Sequence, residues 1–302
     1  MKIVFIHGAH QQNIDAIQLE QYWLNIFQLG LKQSDLEMSL EGVDVSVPYY
    51  GDLLLQHTYS HVPVEQVGFT HAWQSWHLPF LPQNPPQTIQ NDQTLISLLT
   101  QDEQQLNLSS KLYLLSHLAK DRLLKEFVML LSKFPKLHES VIQKLIIEAY
   151  LYLANPEFMQ DVHDRIAASF DRDEDYIVVA HSLGTIIAYN LLQQLKHIRV
   201  QRFITLASPL AFRVIQSKLI NPITRPNSLT GDWFNFYSHE DYLSTFPLEH
   251  SPFNFQPAII NQGISTFVHK PHEILGYLQH PSVIQSIIDP IFPSPMRYLD
   301  YG

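Results

Sequence analysis

The sequence predicts an α/β fold, in which a helical segment is inserted into a doubly wound and mostly parallel β-sheet. Residues 176–180 form an unbroken apolar run rich in β-branched side chains, as expected of a strand covered on both faces. After Gly184 the apolar residues recur at helical spacing instead. Strands and helices alternate on both sides of residues 52–155, which favours parallel βαβ units. We expect about six strands.

The first elements of this sheet lie at the start of the chain. Residues 3–6 are a short apolar strand, and residues 16–30 have the spacing of a helix. Residues 43–47 alternate between apolar and polar side chains, which indicates a second strand. These elements belong to residues 1–51, which are predicted to form one core together with residues 156–302.

Residues 52–155 carry no strand pattern and are predicted to form a mainly helical insertion. A loop over residues 69–86 is rich in proline and contains the aromatic residues Trp73, Trp76 and Phe80. Helical patterns follow at residues 92–106, 111–134 and 137–153.

The core resumes after the insertion. Asn155 and Pro156 predict the start of a helix, as an N-cap and a first-turn proline. The helix that begins there leads to the apolar run of residues 176–180. The remaining predicted elements are strands at residues 202–207, 234–237 and 264–268 and a helix at residues 282–288.

Ser182 lies between the apolar strand and the helix that follows it. An abrupt turn there presents the serine hydroxyl above the carboxyl ends of the strands. The turn brings strand and helix close together, so its flanking positions require small residues, which Ala180 and Gly184 supply. The pattern Ala-x-Ser-x-Gly is a relaxed form of the Gly-x-Ser-x-Gly nucleophile elbow.

A His7-Gly8 dipeptide follows the first strand directly. With the elbow, it makes the chain resemble the α/β-hydrolase superfamily in its compact bacterial esterase and lipase-like form. The resemblance covers residues 1–51 and 156–302 and implies a serine nucleophile. It also implies an oxyanion hole formed by the backbone amides of Ala9 and Leu183, with His10 as a less favoured donor.

In this superfamily an acid and then a histidine follow the serine along the chain. Asp241 comes just after the strand predicted at residues 234–237, and Glu240 is the alternative acid. His272 precedes the last helical region and is the predicted base, with His269 as its alternative. The predicted catalytic residues are thus Ser182, Asp241 and His272.

The composition of the chain limits which classes of partner and cofactor are expected. The net charge is −10 and no basic run is present, so nucleic acid is not an expected partner. Absence of cysteine excludes a disulfide framework, a thiol nucleophile and thiolate-bound metal. No metal or other cofactor is expected, because the i, i+4 pair His57 and His61 has no third ligand.

No apolar run approaches the roughly 20 residues that span a bilayer, and residues 3–6 are too short for a signal peptide. We expect a cytoplasmic protein without stable membrane anchoring.

These patterns predict a serine hydrolase that cleaves a carboxylic ester or thioester of a small molecule or lipid through an acyl-enzyme on Ser182. An acyltransferase would use the same three residues. A non-catalytic binding protein on a hydrolase scaffold is the alternative of a different class. The insertion is then either a lid, whose aromatic loop covers an acyl chain, or a module whose aromatic residues pack its own core.

Overall fold

A parallel β-sheet organises the first of two units into which the chain divides. The computed structural model describes residues 1–9, 14–34, 43–53, 148–149, 152–153, 155–172, 174–241 and 243–292. One unit comprises Met1–Tyr50 and Val162–Gly302, and the other comprises Gly51–Asp161. The predicted insertion, residues 52–155, lies mostly outside the described residues. So do the predictions made for His10, His57, His61, Trp73, Trp76 and Phe80 and for the helices over residues 92–106 and 111–134.

Six strands form the sheet in the described part of the chain. They are β1 (Lys2–Ile6), β2 (Asp44–Ser46), β3 (Asp175–His181), β4 (Arg199–Leu206), β5 (Leu229–Tyr237) and β6 (Ile260–Gly263). Their order across the sheet is β2-β1-β3-β4-β5-β6, and every neighbouring pair is parallel. The predicted α/β class and its parallel sheet are confirmed.

Helices connect these strands. Those whose bounds the structure gives in full are α1 (Ala16–Gln33), α2 (Pro156–Ala167), α3 (Leu183–Gln194), α4 (Arg213–Gln216), α5 (Ile274–Leu278) and α6 (Pro281–Ile288), with a short 3₁₀ turn at Pro209–Ala211. Helix α2 begins as predicted, because the Asn155 side chain accepts hydrogen bonds from the amides of Glu157 and Phe158 at 3.0 and 3.1 Å.

Helix α1 continues three residues beyond its predicted end at Gly30. Glycine often marks the end of a helix, but here it serves the packing of α1 against α6. A Cβ atom at residue 30 would lie 2.6 Å from the Cδ1 atom of Ile284. The missing side chain therefore allows the two helices to approach closely, and the helix itself ends at Gln33.

Both faces of the central strands are covered. Phe5 and Val179 are fully buried and belong to an apolar cluster that includes Trp23 of α1 and Ile284 of α6. The intervening strand residues, such as Val178, are equally buried, and α3 packs against β1 and β3. Burial on two faces explains why these strands are continuous apolar runs in the sequence.

The direction of winding reverses between β1 and β3. From β1 the chain moves to β2 on one side, whereas β3 to β6 extend the sheet on the other side. β1 and β3 are paired in register up to Ile6 and Ala180, so both strands end at the same level. In open parallel sheets, ligands bind in the crevice outside the carboxyl ends of the strands at this reversal. His7-Gly8 and Ser182 both follow these two ends.

The last predicted strand was misplaced. Residues 264–268 are not a strand; β6 lies just before them, at Ile260–Gly263. β6 is a half-exposed edge strand with Asn261 and Gln262 at its centre, so it has no apolar pattern. The apolar residues Phe267 and Val268 are instead exposed, at 43% and 78%, in the loop that leads to His272.

Candidate active site

Ser182 occupies a strained turn between β3 and α3. Its backbone has φ 53° and ψ −124°, a conformation that residues other than glycine seldom adopt. The turn is held at both ends. The Ser182 amide donates to the Leu206 carbonyl at 2.9 Å, and the Ser182 carbonyl accepts from the amide and the hydroxyl of Thr185 at 2.9 and 2.7 Å. Such contacts retain a conformation that would otherwise relax.

Glycine at two positions permits the close approach around this turn. A Cβ atom at Gly184 would lie 2.4 Å from the carbonyl oxygens of Ile6 and His7, which are backbone atoms of the neighbouring strand end. A Cβ atom at Gly8 would lie 3.0 Å from the Cβ atom of Ser182. The requirement for a small residue at position 184, predicted from the elbow pattern, is confirmed.

The structure brings Ser182, His272 and Asp241 together in one hydrogen-bonded chain. The Ser182 Oγ atom lies 2.7 Å from Nε2 of His272, and Nδ1 of His272 lies 2.8 Å from Oδ2 of Asp241. Nδ1 donates to the carboxylate, which leaves Nε2 as the acceptor for the serine hydroxyl. Ser182 and Asp241 are buried, whereas the His272 side chain is 16% exposed. This arrangement suits transfer of a proton from serine to histidine.

Asp241 is fully buried and ionised. Burial by itself favours the neutral acid, but it is outweighed by the electrostatic interaction with the His272 ring together with hydrogen bonds from His272, Tyr277 and the Leu243 amide. The net effect holds the pKa of Asp241 below its ordinary value. A carboxylate of this kind fixes the imidazole in the tautomer with its proton on Nδ1.

The alternative acid and base occupy other positions. The Glu240 carboxylate accepts a hydrogen bond from the Ser238 hydroxyl at 2.5 Å, and this bond lowers the pKa of Glu240. The carboxylate that meets His272 is that of Asp241. His269 lies in an exposed turn of the loop before His272. The fold therefore brings Asp241 and His272 together with Ser182, and not the alternatives Glu240 and His269.

The predicted oxyanion hole consists of the backbone amides of Ala9 and Leu183. Leu183 is the first residue of α3, so its amide has no acceptor within the helix. Ala9 follows Gly8, the residue that lies against Ser182. The role of these two amides as donors to an oxyanion stays a prediction.

His7 fixes the strand end that carries Gly8 and Ala9. Its Nδ1 atom donates to the Gly8 carbonyl at 2.8 Å, and its Nε2 atom accepts from the Tyr50 amide at 3.3 Å. The Tyr50 ring stacks on the imidazole with centroids 3.9 Å apart, and its hydroxyl donates to the His7 carbonyl at 2.5 Å. The sequence pattern indicated the His-Gly turn but did not single out Tyr50.

Sequence reasoning also missed three residues next to the chain of hydrogen bonds. His181 precedes the serine, and its Nε2 atom lies 3.0 Å from the His272 carbonyl oxygen. Ser244 and Tyr277 both place hydroxyl groups on the Asp241 carboxylate. Each stands near a predicted catalytic residue in the sequence, which was the available signal. Hydroxyl and imidazole groups so close to a site are too common, however, for spacing alone to identify them.

Within the described residues, no group of three or more histidine or acidic side chains is arranged to hold a metal ion. We also find, in that part of the chain, no helix with the length and apolarity needed to cross a membrane. No model of a known protein family matches the chain, and no curated protein matches it either. The chemistry of the site has therefore to be inferred from its own residues.

Proposed function

We propose that the protein is a serine hydrolase that cleaves a carboxylic ester or thioester. The observation that carries the proposal is the unbroken chain from Ser182 Oγ to His272 Nε2, at 2.7 Å, and from His272 Nδ1 to Asp241 Oδ2, at 2.8 Å. A nucleophile, a base and an orienting acid in hydrogen-bond contact are the requirements for acyl transfer through a covalent intermediate.

The reaction proceeds in two halves. In the first, the Ser182 oxygen adds to the acyl carbonyl carbon while its proton passes to Nε2 of His272. The resulting tetrahedral intermediate expels the alcohol or thiol, which takes that proton from His272, and an acyl-serine remains. In the second, water adds to the acyl-serine while its proton passes to His272, and the acid is released as the departing Ser182 oxygen takes that proton back. Asp241 stays ionised throughout and stabilises the imidazolium.

The tetrahedral intermediate needs donors for its negative oxygen. We assign this role to the backbone amides of Ala9 and Leu183, and one such donor stabilises the transition state by about 3 kcal/mol. The amide of Leu183 lies at the N-terminal end of α3, where the helix dipole also favours negative charge.

The same proposal includes the α/β-hydrolase fold, with residues 52–155 as a helical insertion. The order of the reacting residues supports it: Ser182 follows β3, Asp241 follows β5, and His272 follows β6. A small-molecule or lipid ester is the proposed substrate class, and a cytoplasmic location completes the proposal.

A fluorophosphonate probe tests the function directly, because it reacts covalently with an activated serine. We expect labelling of the wild type and none of Ser182→Ala. Ser228→Ala is the matched control, because Ser228 is buried like Ser182 but donates to the Leu192 carbonyl. A wild type that is never labelled and hydrolyses no p-nitrophenyl ester of any chain length would favour the non-catalytic scaffold instead.

A further inference from the structure

Two hydroxyl groups converge on the buried carboxylate of Asp241. The Tyr277 hydroxyl lies 2.8 Å and the Ser244 hydroxyl 3.0 Å from Oδ2, the same oxygen that meets Nδ1 of His272 at 2.8 Å. The two hydroxyl oxygens are themselves only 2.7 Å apart. Tyr277 and Asp241 are fully buried, and Ser244 is 2% exposed.

Counting protons decides how these groups are connected. The two hydroxyls have two protons for three contacts, so one contact at a time has no proton of its own. Oδ2 already accepts from His272, and a third donor on one oxygen would crowd its lone pairs. A phenol is a stronger donor than an aliphatic hydroxyl, and Tyr277 makes the shorter contact with Oδ2. The favoured arrangement therefore runs from Ser244 to Tyr277 and from Tyr277 to Asp241.

We propose that Tyr277 is a positioning residue that holds Oδ2 of Asp241 against His272, and that Ser244 is its reserve donor. This inference rests on the proposed function. If the Tyr277 hydroxyl is removed, the Ser244 hydroxyl can turn to Oδ2, which lies within hydrogen-bond distance. The Ser244 hydroxyl would thus partly replace the hydrogen bond to Asp241 that removal of the Tyr277 hydroxyl takes away.

The positions of Ser244 and Tyr277 along the chain support this role. Ser244 lies three residues after Asp241, and Tyr277 lies on α5, which begins two residues after His272. The hydroxyl pair therefore connects the loop that carries the acid to the segment that carries the base. Tyr277 also belongs to the apolar cluster that includes Trp23 and Ile284, which keeps its ring in place. Burial, and then the charge of Asp241, raises the pKa of Tyr277, so its hydroxyl keeps its proton and remains a donor.

The test compares Tyr277→Phe, Ser244→Ala and the double variant in ester hydrolysis. Loss of one hydrogen bond to a charged group corresponds to about a tenfold lower kcat for Tyr277→Phe, with KM unchanged. We expect a smaller loss for Ser244→Ala. The double variant should lose more than the product of the two single losses, because neither hydroxyl is left to replace the other.

A pH profile separates positioning from a merely structural role. A carboxylate with fewer donors attracts the imidazolium more strongly, so the acid limb of kcat/KM should move to higher pH in Tyr277→Phe. Tyr189→Phe is the matched control: Tyr189 is also fully buried, and it exchanges hydrogen bonds with the backbone of Thr224. That variant should lose stability and keep the wild-type profile. An unmoved acid limb in Tyr277→Phe, or losses that simply multiply in the double variant, would overturn the proposal.

A second measurement needs no substrate and so stays informative if the proposed hydrolase activity is absent. The downfield NMR signal of the proton between His272 Nδ1 and Asp241 Oδ2 reports that hydrogen bond in the free protein. We expect it to shift in Tyr277→Phe and to shift further or disappear in the double variant, with no change in Tyr189→Phe. An unchanged signal in the double variant would contradict the positioning role, whereas failure of probe labelling in the wild type would contradict only the hydrolase.

Discussion

The imidazole of His181 holds the backbone of His272. Nε2 of His181 lies 3.0 Å from the His272 carbonyl oxygen, so it is protonated and donates to that carbonyl. The residue just before Ser182 in the sequence thereby fixes the main chain of the histidine that contacts Ser182. Burial, and next the nearby charge of His272, lowers the pKa of His181 to about 3, which keeps its imidazole neutral.

The first prediction is that His181 makes stability fall as the pH falls below about 6.5. The unfolded chain takes up a proton on His181 there, whereas the folded protein does so only near pH 3. The wild type should lose up to about 1.4 kcal/mol per pH unit from this residue over that window. His181→Gln has no titrating group there and keeps an N–H donor. Urea unfolding from about pH 7 to about pH 4 should therefore give a shallower decline for the variant. Parallel declines would contradict the prediction.

The second prediction ranks the acid and base variants. His272→Ala should lower kcat on the order of 10⁴-fold or more, because Ser182 loses its proton acceptor. Asp241→Asn should cost less, about 10²–10⁴-fold, by misorienting the imidazole. Glu240→Gln and His269→Ala should leave kcat near the wild-type value. If Glu240→Gln lowered kcat strongly and Asp241→Asn did not, the acid would be Glu240 and not Asp241.

The third prediction concerns Gly184. Gly184→Ala should lower the free energy of unfolding by about 1–3 kcal/mol, because its Cβ atom would meet two backbone carbonyl oxygens at 2.4 Å. Gly263→Ala is the control: its Cβ atom would make ordinary contact, at 3.4 Å, with the Tyr237 ring. We expect that variant to be neutral or stabilised by up to about 1 kcal/mol. Equal unfolding midpoints for the two variants would show that the elbow tolerates a side chain.

The fourth prediction concerns the support of the strained serine. The Thr185 hydroxyl donates to the Ser182 carbonyl at 2.7 Å and lies 2.9 Å from the Ser208 hydroxyl, which donates to it in turn. Thr185→Val should destabilise the protein by about 1–3 kcal/mol and slow labelling of Ser182 by a fluorophosphonate. Thr185→Ser retains the hydroxyl and should label at close to the wild-type rate. Slow labelling of both variants would assign the effect to packing of the Thr185 methyl group.

Local sequence patterns predicted the elements that are buried on both faces. The apolar run before Ser182 is a strand, the helical spacing after Gly184 is a helix, and Gly184 is required at the turn. These features follow from short stretches of chain, because a doubly covered strand must be apolar throughout and a sharp turn must be flanked by small residues.

Edge elements and helix ends were harder to predict. The last strand was predicted too late in the chain, because an edge strand such as β6 is half-solvated and its residues need not be apolar. Helix α1 ends at Gln33, three residues beyond the approximate end predicted at Gly30, because that glycine admits Ile284 of a neighbouring helix and does not stop α1. In both cases the deciding contact comes from a residue distant in the chain.

The sequence by itself determined the fold class, the position of Ser182 on its turn and the short segments that contain Asp241 and His272. The tertiary structure alone decided that Asp241 and not Glu240 meets His272, and that Tyr277, Ser244 and His181 support them. Strands, helices and turns are specified by neighbours along the chain. A hydrogen-bond partner 30 to 90 residues away is specified by where several folded segments meet, and a one-residue shift in a loop turns a side chain towards a different partner.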